Sequence, residues 1–245
     1  MSESPRGDRF NTTHWSVVVS AGGSSSTDAS RALATLCETY WFPLYAYVRR
    51  AGHSAADAQD LTQDFFVHLL AKNRLAIADR QRGRFRTFLL CSMKNFLINY
   101  EKMQDTQKRG GGRPTISFDI NSATNRYGIL EPVDNLTPDR IYEKRWALTV
   151  LDLVVRRLSE EFCAAGRLSL FEQLKPFLAR GTTKASREAV ARQLGMSEGA
   201  VKVAVHRMRQ RCRQLFREEV ARTTADPDAI DDELTEVLAA LRAEK

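Results

Sequence analysis

Cysteine is sparse and scattered in this chain. Cys37, Cys91, Cys163 and Cys212 lie far apart, with no Cys-x-x-Cys pair and no Cys/His spacing. That excludes a zinc framework or disulfide scaffold and predicts reduced thiols filling helix faces in a cytoplasmic protein. Long apolar runs are also missing. None approaches the roughly 18 residues that a membrane helix needs. The opening MSESPRGDRF is polar and carries acids, unlike a signal peptide. Strand-type alternation is weak throughout and no internal repeat is visible, which argues against a sheet or a solenoid.

What remains has the makings of a helical protein. Of 245 residues, 43% are hydrophobic and 27% charged, enough apolar surface for one medium core or two small ones. The formal charge of +7 favours a polyanionic partner, and its distribution is more telling than its total. Residues 1–109 carry 15 basic and 10 acidic side chains, and residues 180–222 carry 11 and 4. Residues 110–179 balance at 9 and 9, and residues 223–245 reverse the sign with 2 and 7. Two cationic blocks are thus separated by a neutral spacer and followed by an acidic tail.

Periodicity divides the chain further. Residues 1–26 form a flexible N-terminal segment with an apolar patch, Trp15 to Ser20, suited to docking. Residues 27–104 carry three helical stripes. In the first, Asp28 is a plausible N-cap, Leu33, Leu36, Tyr40 and Leu44 recur at helical spacing, and Pro43 is expected to kink or divide the helix. Ser54 with Asp57 resembles a capping box ahead of Leu61, Phe65 and Leu69, and a loop from Asp79 to Gly83 leads into the third stripe. Residues 105–136, with Gly110 to Gly112, Pro114 and Pro132, read as an interdomain linker. In residues 137–222, Thr137 and Pro138 open a helix whose apolar face is expected to be Ile141, Leu148, Leu151, Val155 and Leu158. Residues 223–245 form a short acidic amphipathic helix.

The clearest motif runs from Ser186 to Arg217. A first helix buries Val190 and Leu194, Gly195 permits the turn, and Ser197 caps a second helix that begins with Glu198, Gly199 and Ala200. Val201, Val205, Met208, Cys212 and Leu215 mark its inward stripe. Lys202, His206, Arg209 and Arg213 face outward, with Arg207 and Arg211 beside them. This is helix-turn-helix geometry, in which the second helix enters a major groove. An ordinary arginine-rich surface helix is the competing reading, weakened by the local charge of 11 basic against 4 acidic residues.

The third stripe, GRFRTFLLCSMKNFLINYEK, sets Arg82, Arg84, Arg86, Lys94 and Lys102 among Phe85, Phe88, Phe96 and Tyr100. Cations along a backbone and pockets or rings for unstacked bases suit single-stranded DNA. Aromatic residues at helical spacing are more often core, so Phe88 and Phe96 are expected to be buried, with Phe85 and Tyr100 near DNA. Asp57, Asp60, Asp64 and His68 share one side of the second helix. No second Glu-x-x-His partner accompanies them, so a solvated or protein-docking face is preferred to a metal site, and neither a catalytic residue nor a cofactor is expected.

Four blocks in order, TYWFPLYAYVRR, DAQDLTQDFF, RGRFRTFLLCSMKNFLINY and SREAVARQLGMSEGAVKVAVHRMRQR, resemble the extracytoplasmic-function sigma factors of bacterial RNA polymerase over most of residues 30–103 and 137–217. The resemblance implies an all-α fold, with a region 2-like bundle and a region 4-like helix-turn-helix joined by a linker. It also implies a non-enzymatic role in promoter recognition, DNA melting and transcription initiation, with core RNA polymerase and promoter DNA as partners. An anti-sigma factor or other regulator is admitted as a third. Docking on polymerase falls to Asp57, Asp60, Leu61, Gln63, Asp64 and Phe65. The minus-ten element falls to Arg84, Phe85, Thr87, Phe88, Lys94, Asn95 and Asn99. The minus thirty-five duplex falls to Ser197, Glu198, Gly199, Ala200, Lys202, Val203, His206, Arg207 and Arg209.

Val203 and Ala204 stand where that family usually carries polar or basic residues, and the acidic tail is an addition to it. The tail is expected to fold against the basic helix-turn-helix or to bind a regulator. An autonomous helix-turn-helix regulator is the alternative function.

Overall fold

Proline does not divide the first helix. In the computed structural model, α1 runs from Ser26 to Arg50 straight through Pro43, although a proline removes one helical hydrogen bond. Pro43 is itself buried, as are Tyr40, Trp41, Leu44 and Val48 of the same helix. The structure describes residues 26–71, 84–106, 136–178, 184–224 and 226–242. The Trp15 to Ser20 patch, the loop from Asp79 to Gly83 and nearly all of the expected linker lie outside them. Among the described residues there are helices and turns and no strand, so the fold is all-α, as expected.

Contacts divide the chain into two units, residues 1–148 with 221–245 and residues 149–220. In the first, α1 is followed by α2 (Ala55–Ala71) and α3 (Phe85–Thr106). Gly52, at φ 108°, takes a left-handed conformation that residues with a side chain rarely adopt, and it ends α1. The core consists of Leu36, Tyr40 and Leu44 from α1, Leu61, Phe65 and Leu69 from α2, and Leu89, Met93 and Leu97 from α3. Each large apolar side chain so buried contributes about 1.5–3 kcal/mol.

The helix α4 (Pro138–Ala164) begins in this unit, and its later turns belong to the second. Thr137 caps it: its Oγ1 accepts from the Arg140 amide at 3.4 Å and its carbonyl accepts from Ile141 N at 3.0 Å. Ile141 and Leu158 are buried as expected. Leu148, Leu151 and Val155 are only half-buried, and Tyr142, Trp146, Val150 and Val154 take the interior instead. The apolar stripe is displaced because the early turns serve an aromatic core in the first unit and the later turns serve the second.

The second unit adds α5 (Leu168–Leu174), a 3-10 turn (Lys175–Leu178), α6 (Lys184–Leu194) and most of α7 (Glu198–Ala221). Phe171, Leu174 and Phe177 fill its interior with Val201, Val205, Met208 and Leu215. The acidic helix α8 (Ile230–Arg242) belongs to the first unit, which overturns the expectation that it folds on the helix-turn-helix.

Candidate nucleic-acid interface

Three surfaces carry the candidate residues. On α2 the capping box is present: Ser54 Oγ accepts from the Asp57 amide at 3.1 Å and donates to Asp57 Oδ2 at 2.6 Å. Asp57 and Asp60 are exposed, and Gln63 and Asp64 are half-buried. Leu61 and Phe65, assigned to docking with them, face the core, because the spacing that lines up the carboxylates turns these apolar positions inward. Phe65 packs edge-on to Phe96 at 5.7 Å, and the His68 ring lies 5.7 Å from the same phenyl. Among the described residues no group of three or more His, Cys, Asp and Glu is placed to hold a metal ion.

On α3 an exposed stripe runs through Thr87, Cys91, Asn95 and Asn99, with Ile98 exposed beside it. Phe85 does not belong to this stripe. It is 0% exposed and packs edge-on to Tyr40 at 5.3 Å, which corrects its placement near DNA. The opposite correction applies to Phe88 and Phe96, which are half-buried rather than enclosed, as is Tyr100. Lys94 is paired with Asp139 at the start of α4, and that carboxylate raises the lysine pKa above its ordinary value.

The first turn of α3 is a charge cluster. Arg86, 2% exposed, sends Nε to Glu233 Oε1 at 2.5 Å and an Nη to Glu236 Oε2 at 2.8 Å. Its other Nη pairs with Glu143, and its guanidinium lies 5.1 Å from the Trp146 ring centre. Arg84 Nε meets Glu233 Oε2 at 2.7 Å, and its Nη1 meets Glu236. Beneath them the Tyr142 hydroxyl donates to the Arg86 carbonyl at 2.9 Å. Burial raises the pKa of Tyr142 and of Tyr40, so both phenols stay neutral. Sequence reading missed this cluster: Glu233 and Glu236 at i, i+3 were a visible signal of an acidic face, but nothing local named Arg84 and Arg86 as its partners.

Between α6 and α7 the turn and the helix cap are as read. Gly195 has φ 63°, Met196 N donates to Ala191 O at 2.9 Å, and Ser197 Oγ accepts from the Ala200 amide at 3.2 Å. Ala191 is buried, while Val190 and Leu194 are half-buried. Glu198, Gly199, Lys202, His206, Arg207 and Arg213 are exposed, and Val203, 50% exposed, stands among them as an apolar contact surface. Arg209 does not face outward freely. Its Nε and one Nη donate to the Phe177 carbonyl at 2.9 and 2.6 Å, tying α7 to the 3-10 turn. Arg211 likewise pairs with Glu161 at 2.6 Å and also reaches Glu218 at 3.5 Å. That guanidinium lowers the Glu161 pKa. No helix among the described residues is long and apolar enough to cross a membrane.

Neither the curated proteins nor the solved structures gave a match to the chain. Residues 37–106 match the family model described as Sigma-70 region 2, a span running from the middle of α1 to the end of α3. The segment from the middle of α1 to the end of α3 is therefore similar to region 2 of the sigma-70 family.

Proposed function

We propose that the chain is a sigma factor of the extracytoplasmic-function type, a non-catalytic cytoplasmic subunit that binds core RNA polymerase and directs promoter recognition, melting and initiation. The observation that carries the reading is the match of residues 37–106 to Sigma-70 region 2, and it is supported by the exposure of Lys202, His206 and Arg207 on α7. Docking belongs to the α2 face, where Asp57 and Asp60 are exposed.

In this reading the exposed stripe of α3, with Thr87, Asn95 and Asn99, receives the melted minus-ten strand. The N-terminal turns of α7, from Ser197 to Arg207, enter the minus thirty-five major groove, with Ser197 holding the helix start toward a phosphate. Unpairing costs a few kcal/mol and is offset when an extruded base finds its pocket. Run-off transcription with purified core enzyme tests the reading. Promoter-specific transcripts that depend on the chain are expected, and an autonomous operator-binding regulator would produce none.

A further inference from the structure

The start of α3 is occupied by the chain's own tail. Arg84 and Arg86 are both engaged by Glu233 and Glu236, and the Phe85 amide donates to the Thr223 carbonyl at 3.0 Å. Exposed guanidiniums and unpaired amides at a helix start are the groups that accept a phosphate. Here carboxylates and a carbonyl oxygen hold that place.

Four ion pairs join the start of α3 to α8. On its inner face Val237 is the fully buried apolar side chain, at 1% exposed, beside the buried carboxylate of Glu233. Ile230, Leu234 and Leu241 are half-buried, and Leu238 is exposed. The solvent-facing pair, Arg84 with the 54% exposed Glu236, is weakened by salt and by any polyanion that competes for the same cation, whereas the enclosed Arg86–Glu233 pair is screened much less. The two arginines differ in what they lose when α8 leaves. Arg86 keeps Glu143 and the Trp146 ring, but among the described residues the salt bridges of Arg84 are those to α8.

We propose that α8 is a detachable anionic cover, whose Glu233 and Glu236 occupy the Arg84 site that otherwise takes a phosphate of single-stranded promoter DNA. This rests on reading α3 as the strand-binding helix. The free factor is then held back from DNA, and the helix is displaced when the melted strand arrives.

The test uses the full chain at about 50 mM salt and a labelled single-stranded A+T-rich oligonucleotide. Glu236 is 54% exposed, so Glu236→Gln removes one competing charge while Glu233 and Val237 remain in place. The variant is expected to bind about tenfold tighter than the parent chain, and adding Arg84→Gln should abolish the gain. In the unsubstituted protein, saturating oligonucleotide should strip hydrogen-exchange protection from residues 230–242 while α1 keeps its own.

Equal affinity of parent and variant, binding by neither, or full protection of α8 in the bound complex would each overturn the cover. Run-off transcription with the same preparations reports separately on the sigma-factor reading, which survives if the cover fails and transcripts still form.

Discussion

Arg209 is bound twice to one backbone oxygen, the carbonyl of Phe177, at 2.9 and 2.6 Å. A side chain expected to grip phosphate instead joins α7 to the 3-10 turn Lys175–Leu178 that precedes α6. Arg209→Ala should therefore lower stability by about 1.5–3 kcal/mol in urea unfolding, the range for a hydrogen bond to a charged group. It should leave the salt dependence of duplex binding nearly unchanged. Arg207→Ala is expected to do the reverse, reducing the slope of log affinity against log salt by about 1 with little change in stability. Titration of an upstream duplex at several salt concentrations measures both.

The α2 face predicts a similar separation. Asp60 is exposed and Leu61 is buried one position later. Asp60→Lys should weaken association with core polymerase in a pull-down while the melting temperature holds. Leu61→Ala should lower stability by about 2–5 kcal/mol through the cavity it leaves. Retained association in the folded Asp60→Lys variant would move the docking surface elsewhere.

The cluster around Arg86 behaves as a buried ion group. Removing one partner from such a group leaves an uncompensated charge, a loss of about 3–5 kcal/mol. Arg86→Ala should show it in chemical denaturation, since Glu233 is 0% exposed. Thr87→Ala, one residue on and exposed, should stay within about 0.5 kcal/mol of the parent.

Thiol chemistry offers a check on packing. Cys91 and Cys163 are exposed, whereas burial pushes the Cys37 thiol up to about 12 and raises that of Cys212. At pH 8 the Cys37 thiol therefore stays protonated, while the thiolate is the reactive form. Iodoacetamide labelling followed by peptide mapping should mark Cys91 and Cys163 first and Cys37 last. Rapid labelling of Cys37 in native buffer would contradict its burial.

Acid should loosen the second unit by a defined route. The hydrogen bond from Arg211 depresses the Glu161 pKa, so the folded state binds that proton less readily than the unfolded chain. The associated stabilisation is complete above the ordinary carboxylate range and is lost as pH falls through the lowered value. Glu161→Gln should flatten that part of the acid unfolding profile and leave the profile near neutrality unchanged in shape.

Local chemistry was legible wherever the partners lie within a turn of each other. Ser54 with Asp57, Thr137 before Pro138, Gly195 in its turn and Ser197 at the start of α7 all appear as read. The inward stripe of α7 was legible for the same reason: Val201, Val205, Met208 and Leu215 recur at the helix period, and all are buried. Side chains with both an apolar body and a polar or aromatic function were not. Phe85 looked like a base platform and Arg209 like a phosphate clamp, yet the first meets Tyr40 and the second Phe177, partners 45 and 32 residues away.

The all-helical class, the helix starts and the cationic character of residues 180–222 were determined by the sequence itself, because periodicity, capping and charge count depend on neighbours along the chain. Which cations remain open to a partner was decided only by tertiary structure. Arg84, Arg86, Arg209 and Arg211 carry the same charge as Arg207 and Arg213, but each meets a carboxylate or carbonyl brought in from a distant segment. A guanidinium satisfies whichever oxygens folding delivers to it first, and that delivery is a property of the packed molecule.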